Sequence, residues 1–163
     1  MWIGKKENIR DSRKIFWKNL QEVVKQKQYE LQPLIAVDKL TTFYSQAILS
    51  DGIIEAETED NRIWHIEMKS LFEDIDKFHS SGGYFCEFPA ASLTEISRII
   101  NRKYQTLAYY GFNKSELLAF MQLNRPAGID RMVPIGHTAD FSLNWDGYDL
   151  IRTLSRICEI DAR

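Results

Sequence analysis

The stretch "YFCEFPAASLTEISRIINRKYQTLAYYGFNKSELLAFMQLNRPAGIDRMVPIGH", residues 84–137, decides the fold. Its runs "YFCEF", "QTLAYYG" and "IDRMVPI" are strand-sized, rich in aromatic and apolar residues, and each is closed by a turn former: Pro89, Gly111 or Gly136. Between them, Ser92 stands three positions before Glu95, and Asn113 three before Glu116. At that spacing a short polar side chain and a carboxylate satisfy the orphan N–H groups of a helix start. Strand, helix, strand, helix, strand is the order of βαβ units, because parallel strands need a helical crossover between them. The expected class is α/β, with βαβ units forming a mainly parallel sheet.

Working back from that stretch, Ser70 with Glu73 announces a further short helix. "IIEAETEDNRIWHIEM", residues 53–68, reads as an added hairpin around the turn "EDN". Alternation places Trp64, Ile66 and Met68 on one face and Ile63, His65 and Glu67 on the other. From Asn8 to about Gln26, Ile9, Phe16, Trp17, Leu20, Val23 and Val24 recur at helical steps. Arg10, Arg13, Lys14, Lys18 and Lys25 on the outer face, interleaved with Glu7, Asp11 and Glu22, read as a solvated surface. Pro33 opens a second helix whose buried stripe would be Leu34, Val37, Leu40, Tyr44 and Ile48, with Asp51-Gly52 ending it. "MWI" before Gly4 suits the tail of a strand that begins outside this sequence. At the other end, "YDLIRTLSRICEI" suits a closing helix with Leu150, Ile151, Leu154 and Ile157 inside.

With 163 residues, 44% of them hydrophobic, residues 1–163 are expected to form a single compact unit. A formal net charge of −2 argues against a nucleic-acid surface. No run approaches the roughly 18 apolar residues of a membrane span. Cys86 and Cys158 lie outside any disulfide framework or zinc spacing, which suits a reducing cytoplasm.

The chemistry-bearing residues are few. In open parallel sheets ligands sit beyond the carboxyl ends of the strands, so Gly136 and His137, just after "DRMVPI", are the candidate substrate-binding residues. A structural, hydrogen-bonded role competes for His137, and His79 beside "SSGG" shares the ambiguity. Asp140, Asp146 and Asp149 suggest a divalent ion, but capping and turn chemistry accounts for them, with Asp146 placed at a helix N-cap; no metal site is expected. His65 and Glu67 give a weaker metal signal still. Phosphate cradles and a serine nucleophile elbow lack their motifs. Cys86, flanked by Phe85 in mid-strand, reads as a buried and inert thiol, and Cys158, in an apolar segment, reads the same way.

"VDKL" at Val37 to Leu40, "YFCEFP", "QTLAYYGF" and above all "GIDRMVPIGHTADFSLNWDGYDLIRTLSR", from Gly128 to Arg156, resemble the C-terminal part of the long-chain fatty acyl-CoA reductase family, the LuxC type. The resemblance runs the length of the chain and covers about the last third of such an enzyme. It implies the C-terminal part of an aldehyde-dehydrogenase-like catalytic domain. The implied reaction is a two-step reduction in which a cysteine takes the acyl group of a long-chain acyl-CoA or an acylated partner protein, and NADPH then releases an aldehyde. By the same matching, Gly136 and His137 border the acyl pocket. The family's nucleophile matches a position before Met1 and its cofactor half lies further upstream, so no catalytic residue is assigned here and Cys86 and Cys158 match none. The glutamate that contacts the cofactor ribose in wider relatives has no counterpart in "FHSSGG", residues 78–83. The implied assembly is a homo-oligomer, and the isolated chain is expected to be inactive. The alternative is a free-standing, non-catalytic α/β module that binds a partner or oligomerises through strand edges.

Overall fold

The computed structural model describes residues 1–50 and 52–161. It is mixed α/β and divides into two compact units, Met1–Ile99 and Ile100–Arg163. Asp51, placed by sequence at the end of the second helix, lies outside the described residues.

The first unit runs β1 (Trp2–Ile3), α1 (Lys6–Gln26), α2 (Pro33–Leu49), β2 (Ile53–Glu57), β3 (Trp64–Met68), a 3-10 turn (Glu73–Lys77), β4 (Tyr84–Glu87), β5 (Pro89–Ala90) and a second 3-10 turn (Leu93–Arg98). The expected hairpin is present: β2 pairs antiparallel with β3, Ala56 opposite Ile66 and Glu57 opposite His65. β4 then adds parallel to β3, Trp64 opposite Tyr84 and Glu67 opposite Glu87. Side chains alternate across this three-stranded sheet. Trp64, Ile66 and Met68 form the core on one face, with Phe43 of α2, Ile53, Phe72, Ile75, Tyr84 and Cys86 packed against them. On the opposite face, Trp17 of α1 stacks on His65 with ring centroids 4.8 Å apart. β1 pairs in parallel with β5 as a separate two-stranded sheet.

α2 departs from expectation. The stripe assigned to the core is the exposed one: Leu34 is 67% exposed, Ile48 81%, and Val37, Leu40 and Tyr44 are also exposed. Beside Phe43, the residues turned inward include Lys39 and Gln46, both 0% exposed. Each is held by polar partners that burial makes necessary. Lys39 Nζ donates to the carbonyls of Asn61 and Arg62 at 2.6 and 2.8 Å, closing the hairpin turn. Gln46 Oε1 accepts from the Tyr84 hydroxyl at 2.7 Å, and its Nε2 lies 3.2 Å from Met68 Sδ.

The second unit runs β6 (Gln105–Tyr109), α3 (Lys114–Asn124), β7 (Ile129–Pro134), β8 (Asn144–Trp145), β9 (Tyr148–Asp149) and α4 (Leu150–Leu154). β6 and β7 are parallel, with Leu107 opposite Met132, and α3 is their crossover. The Asn113 side chain accepts the Glu116 N–H while the Glu116 carboxylate accepts that of Asn113, completing the expected capping box. Gly128 is required by contact, since a Cβ there would stand 1.8 Å from the Asn101 carbonyl oxygen.

The expectation of one mainly parallel sheet is corrected: among the described residues there are four small sheets, some parallel and some antiparallel, and β4 takes β3 as its partner while β6 pairs with β7. α3 is the α-helix that directly links β6 to β7; the elements announced at Glu73 and Glu95 are 3-10 turns of 5 and 6 residues. A parallel pair needs a dozen or more residues of connection, usually carried by an α-helix. The closing helix is also corrected, because α4 has 5 residues and Ile151, Leu154 and Ile157 are exposed rather than inside.

Candidate functional site

The site lies where β7 ends. His137 N–H donates to the Pro134 carbonyl at 3.1 Å, closing a turn whose third position, Gly136, has φ +95°. Positive φ there is what a type II turn demands and what glycine supplies without strain. Asp140 N–H donates in turn to the His137 carbonyl at 3.2 Å, so two turns follow in succession. This geometry brings His137 Nδ1 to 2.6 Å from Asp140 Oδ2. The residues surround a depression of about 340 Å³ lined by Arg131, Val133, Pro134, His137, Phe141 and Ser142, with Asp140 at its edge.

Arg131, projecting from β7, reaches the second of these turns. Its Nη1 donates to the Asp140 carbonyl at 2.8 Å and its Nη2 to the Thr138 carbonyl, while its guanidinium carbon lies 4.4 Å from the Trp145 ring centre. Phe141 stacks on Trp145 at 5.5 Å. The β8–β9 hairpin that carries Trp145 turns at Asp146-Gly147, both at positive φ, +49° and +80°, the signature of a primed two-residue turn. Asp146 is thus corrected from helix cap to hairpin turn. The cap of α4 is Asp149, whose carboxylate accepts the Arg152 N–H at 3.0 Å.

Chemically, the arrangement offers an imidazole oriented by a carboxylate. An ionised Asp140 accepts the Nδ1–H, which leaves Nε2 as the working nitrogen, the geometry of a base held by an orienting group. Val133, Pro134 and Phe141 supply an apolar wall beside it. His137 is 59% exposed on its side chain, so a ligand can reach it without rearrangement.

The other singled-out residues fall elsewhere. His79 is exposed. His65 and Glu67 belong to a buried polar cluster that sequence reasoning missed: Glu87, 3% exposed, accepts from Trp2 Nε1, from Arg13 Nε and Nη2 at 3.1 Å, and meets His65 Nδ1 at 3.1 Å. Arg13, assigned to the solvated face of α1, turns inward to this cluster and also binds Glu67. The available signal was the strand alternation, which set His65 and Glu67 on one face. Among the described residues no group of three or more His, Cys, Asp or Glu side chains could hold a metal ion. Cys86 is half-buried against Gln46, and burial pushes its thiol above the ordinary value despite that amide contact. Cys158 is corrected from buried to exposed.

No family model, curated protein or solved structure matches the chain. Among the described residues no helix is long and apolar enough to cross a membrane.

Proposed function

We propose that this chain is the C-terminal portion of a LuxC-type fatty acyl-CoA reductase with an aldehyde-dehydrogenase-like catalytic domain, and that Gly136 and His137 form part of its acyl-pocket wall. The whole enzyme would be a cytoplasmic homo-oligomer converting a long-chain acyl-CoA, or an acylated partner protein, to the aldehyde. The observation that carries the reading is the turn at Gly136 and His137: it closes the carboxyl end of a parallel strand beside Val133, Pro134 and Phe141, inside the segment that bears the resemblance. An apolar chain fits that wall, and His137 Nε2 is free to hydrogen-bond its polar end. The exposed stripe of α2 supports the reading as well, since Leu34, Val37, Tyr44 and Ile48 suit a surface that further protein covers.

NADPH supplies hydride in the family's reaction, but the residues present do not fit it. Arg131, the cation lining the depression, is engaged with two carbonyls and an indole ring, and the chain has no glycine-rich dinucleotide fingerprint. The chain is therefore expected to be inactive in isolation.

The test is the nucleotide sequence upstream of the Met1 codon, read together with an assay. An open frame that supplies a cysteine shortly before Met1, with no NADPH oxidation by the isolated chain on palmitoyl-CoA, supports the proposal. A stop codon immediately upstream, or turnover by the isolated chain that disappears in Cys86→Ser, overturns it.

A further inference from the structure

We infer that Arg131 is a positioning residue for His137: it braces the second turn, His137 to Asp140, in which Asp140 fixes the imidazole with its Nδ1 engaged and its Nε2 free. The inference rests on the proposal that this turn faces a ligand, and adds the residue that presets the geometry. His137 and Asp140 are both mostly exposed, and an exposed pair held by one hydrogen bond gains little against side-chain entropy. The turn between them is closed by the Asp140 N–H to the His137 carbonyl, and a second anchor adds to that one bond. Arg131 is that anchor, reaching from β7, a paired strand. One planar guanidinium reaches the carbonyls of Thr138 and Asp140, on either side of the intervening residue, and rests on Trp145. Trp145 is in turn placed by the Asp146-Gly147 hairpin, whose second turn position, Gly147, has φ +80°, a conformation that glycine adopts without strain. Two carbonyls at a fixed separation suit a rigid fork of donors, whereas an ammonium is a single point on a flexible stem.

The consequence is a specific tautomer. A carboxylate on Nδ1 selects the Nδ1–H form of neutral imidazole, whereas an unconstrained histidine favours Nε2–H. Long-range proton–nitrogen NMR spectra of the full chain, recorded where imidazole is neutral, read this directly. The wild type should show the Nδ1–H form for His137. Arg131→Met should shift it towards Nε2–H with the amide spectrum of β6 and β7 unchanged, and Arg131→Lys should fail to restore it. An Arg131→Met chain that keeps the wild-type tautomer overturns the inference. Should that variant fail to fold, Trp145→Leu removes the seat and keeps the fork; a partial shift supports the inference and an unchanged tautomer overturns it. The clamp and the pocket reading can fail separately: a tautomer lost with palmitoyl-CoA binding to the full chain unaltered leaves the clamp standing and counts against the pocket.

Discussion

Arg13 of α1 and Glu87 of β4 meet side-on, with Nε and Nη2 of the guanidinium each 3.1 Å from a different carboxylate oxygen. They are 74 positions apart in sequence. Around them Trp2, Glu67 and His65 bring β1 and β3 into the same network, so one buried carboxylate ties the N-terminal strand and helix to the sheet. Fork-on-carboxylate geometry with added donors is the arrangement in which a buried ion pair offsets its desolvation.

Acid should weaken this unit through Glu87. Burial works to raise its carboxyl, yet hydrogen bonds from His65 and Arg13 hold it down to about 2, against an ordinary 4.5. A carboxylate held low when folded stabilises fully above its unfolded value and loses that stabilisation as pH falls towards the folded one. The urea midpoint followed by tryptophan fluorescence should therefore decline between pH 4.5 and about 2. Glu87→Gln should flatten the decline and, at neutral pH, cost on the order of 2 kcal/mol, because Arg13 loses charge-assisted hydrogen bonds and keeps Glu67 as its acidic partner. A neutral-pH cost near zero would mean the network contributes nothing net.

Lys39 tests the inverted face of α2. Burial pushes its ammonium below the ordinary value, so its charge is itself a cost in the folded state. Lys39→Met keeps the stem and removes that cost, but leaves the carbonyls of Asn61 and Arg62 without their donor. The unpaired carbonyls should dominate, with a loss of about 1–3 kcal/mol in chemical denaturation. A variant more stable than wild type would show that desolvation of the ammonium outweighs both hydrogen bonds.

The two thiols should separate kinetically. Cys158 is exposed, while Cys86 is half-buried with its thiol pushed up by burial. Titration of the native chain with a disulfide reagent should give one fast thiol, and the second should react only on unfolding. Cys158→Ser should abolish the fast phase and Cys86→Ser should leave it intact; the reverse pattern would restore Cys86 as a reactive group.

The sequence by itself determined several of the local elements, because their signals are local. Helical spacing of Ile9, Trp17 and Leu20, alternation through Trp64 to Met68, and the Asn113–Glu116 box each act within a few residues, and each is present as read. The glycine turn after β7 was legible for the same reason, since only its backbone conformation demanded glycine.

Only the tertiary structure decided which partner each element found. Periodicity marks an apolar face without saying what covers it, so α2 could turn Lys39 and Gln46 inward once backbone carbonyls and a tyrosine hydroxyl were there to receive them. Strand pairing was equally out of reach: β4 joins β3 through a register that no feature of either strand specifies. Sequence placed Gly136 and His137 just after the last long strand, but the Asp140 contact and the Arg131 fork depend on the chain reversal that follows it.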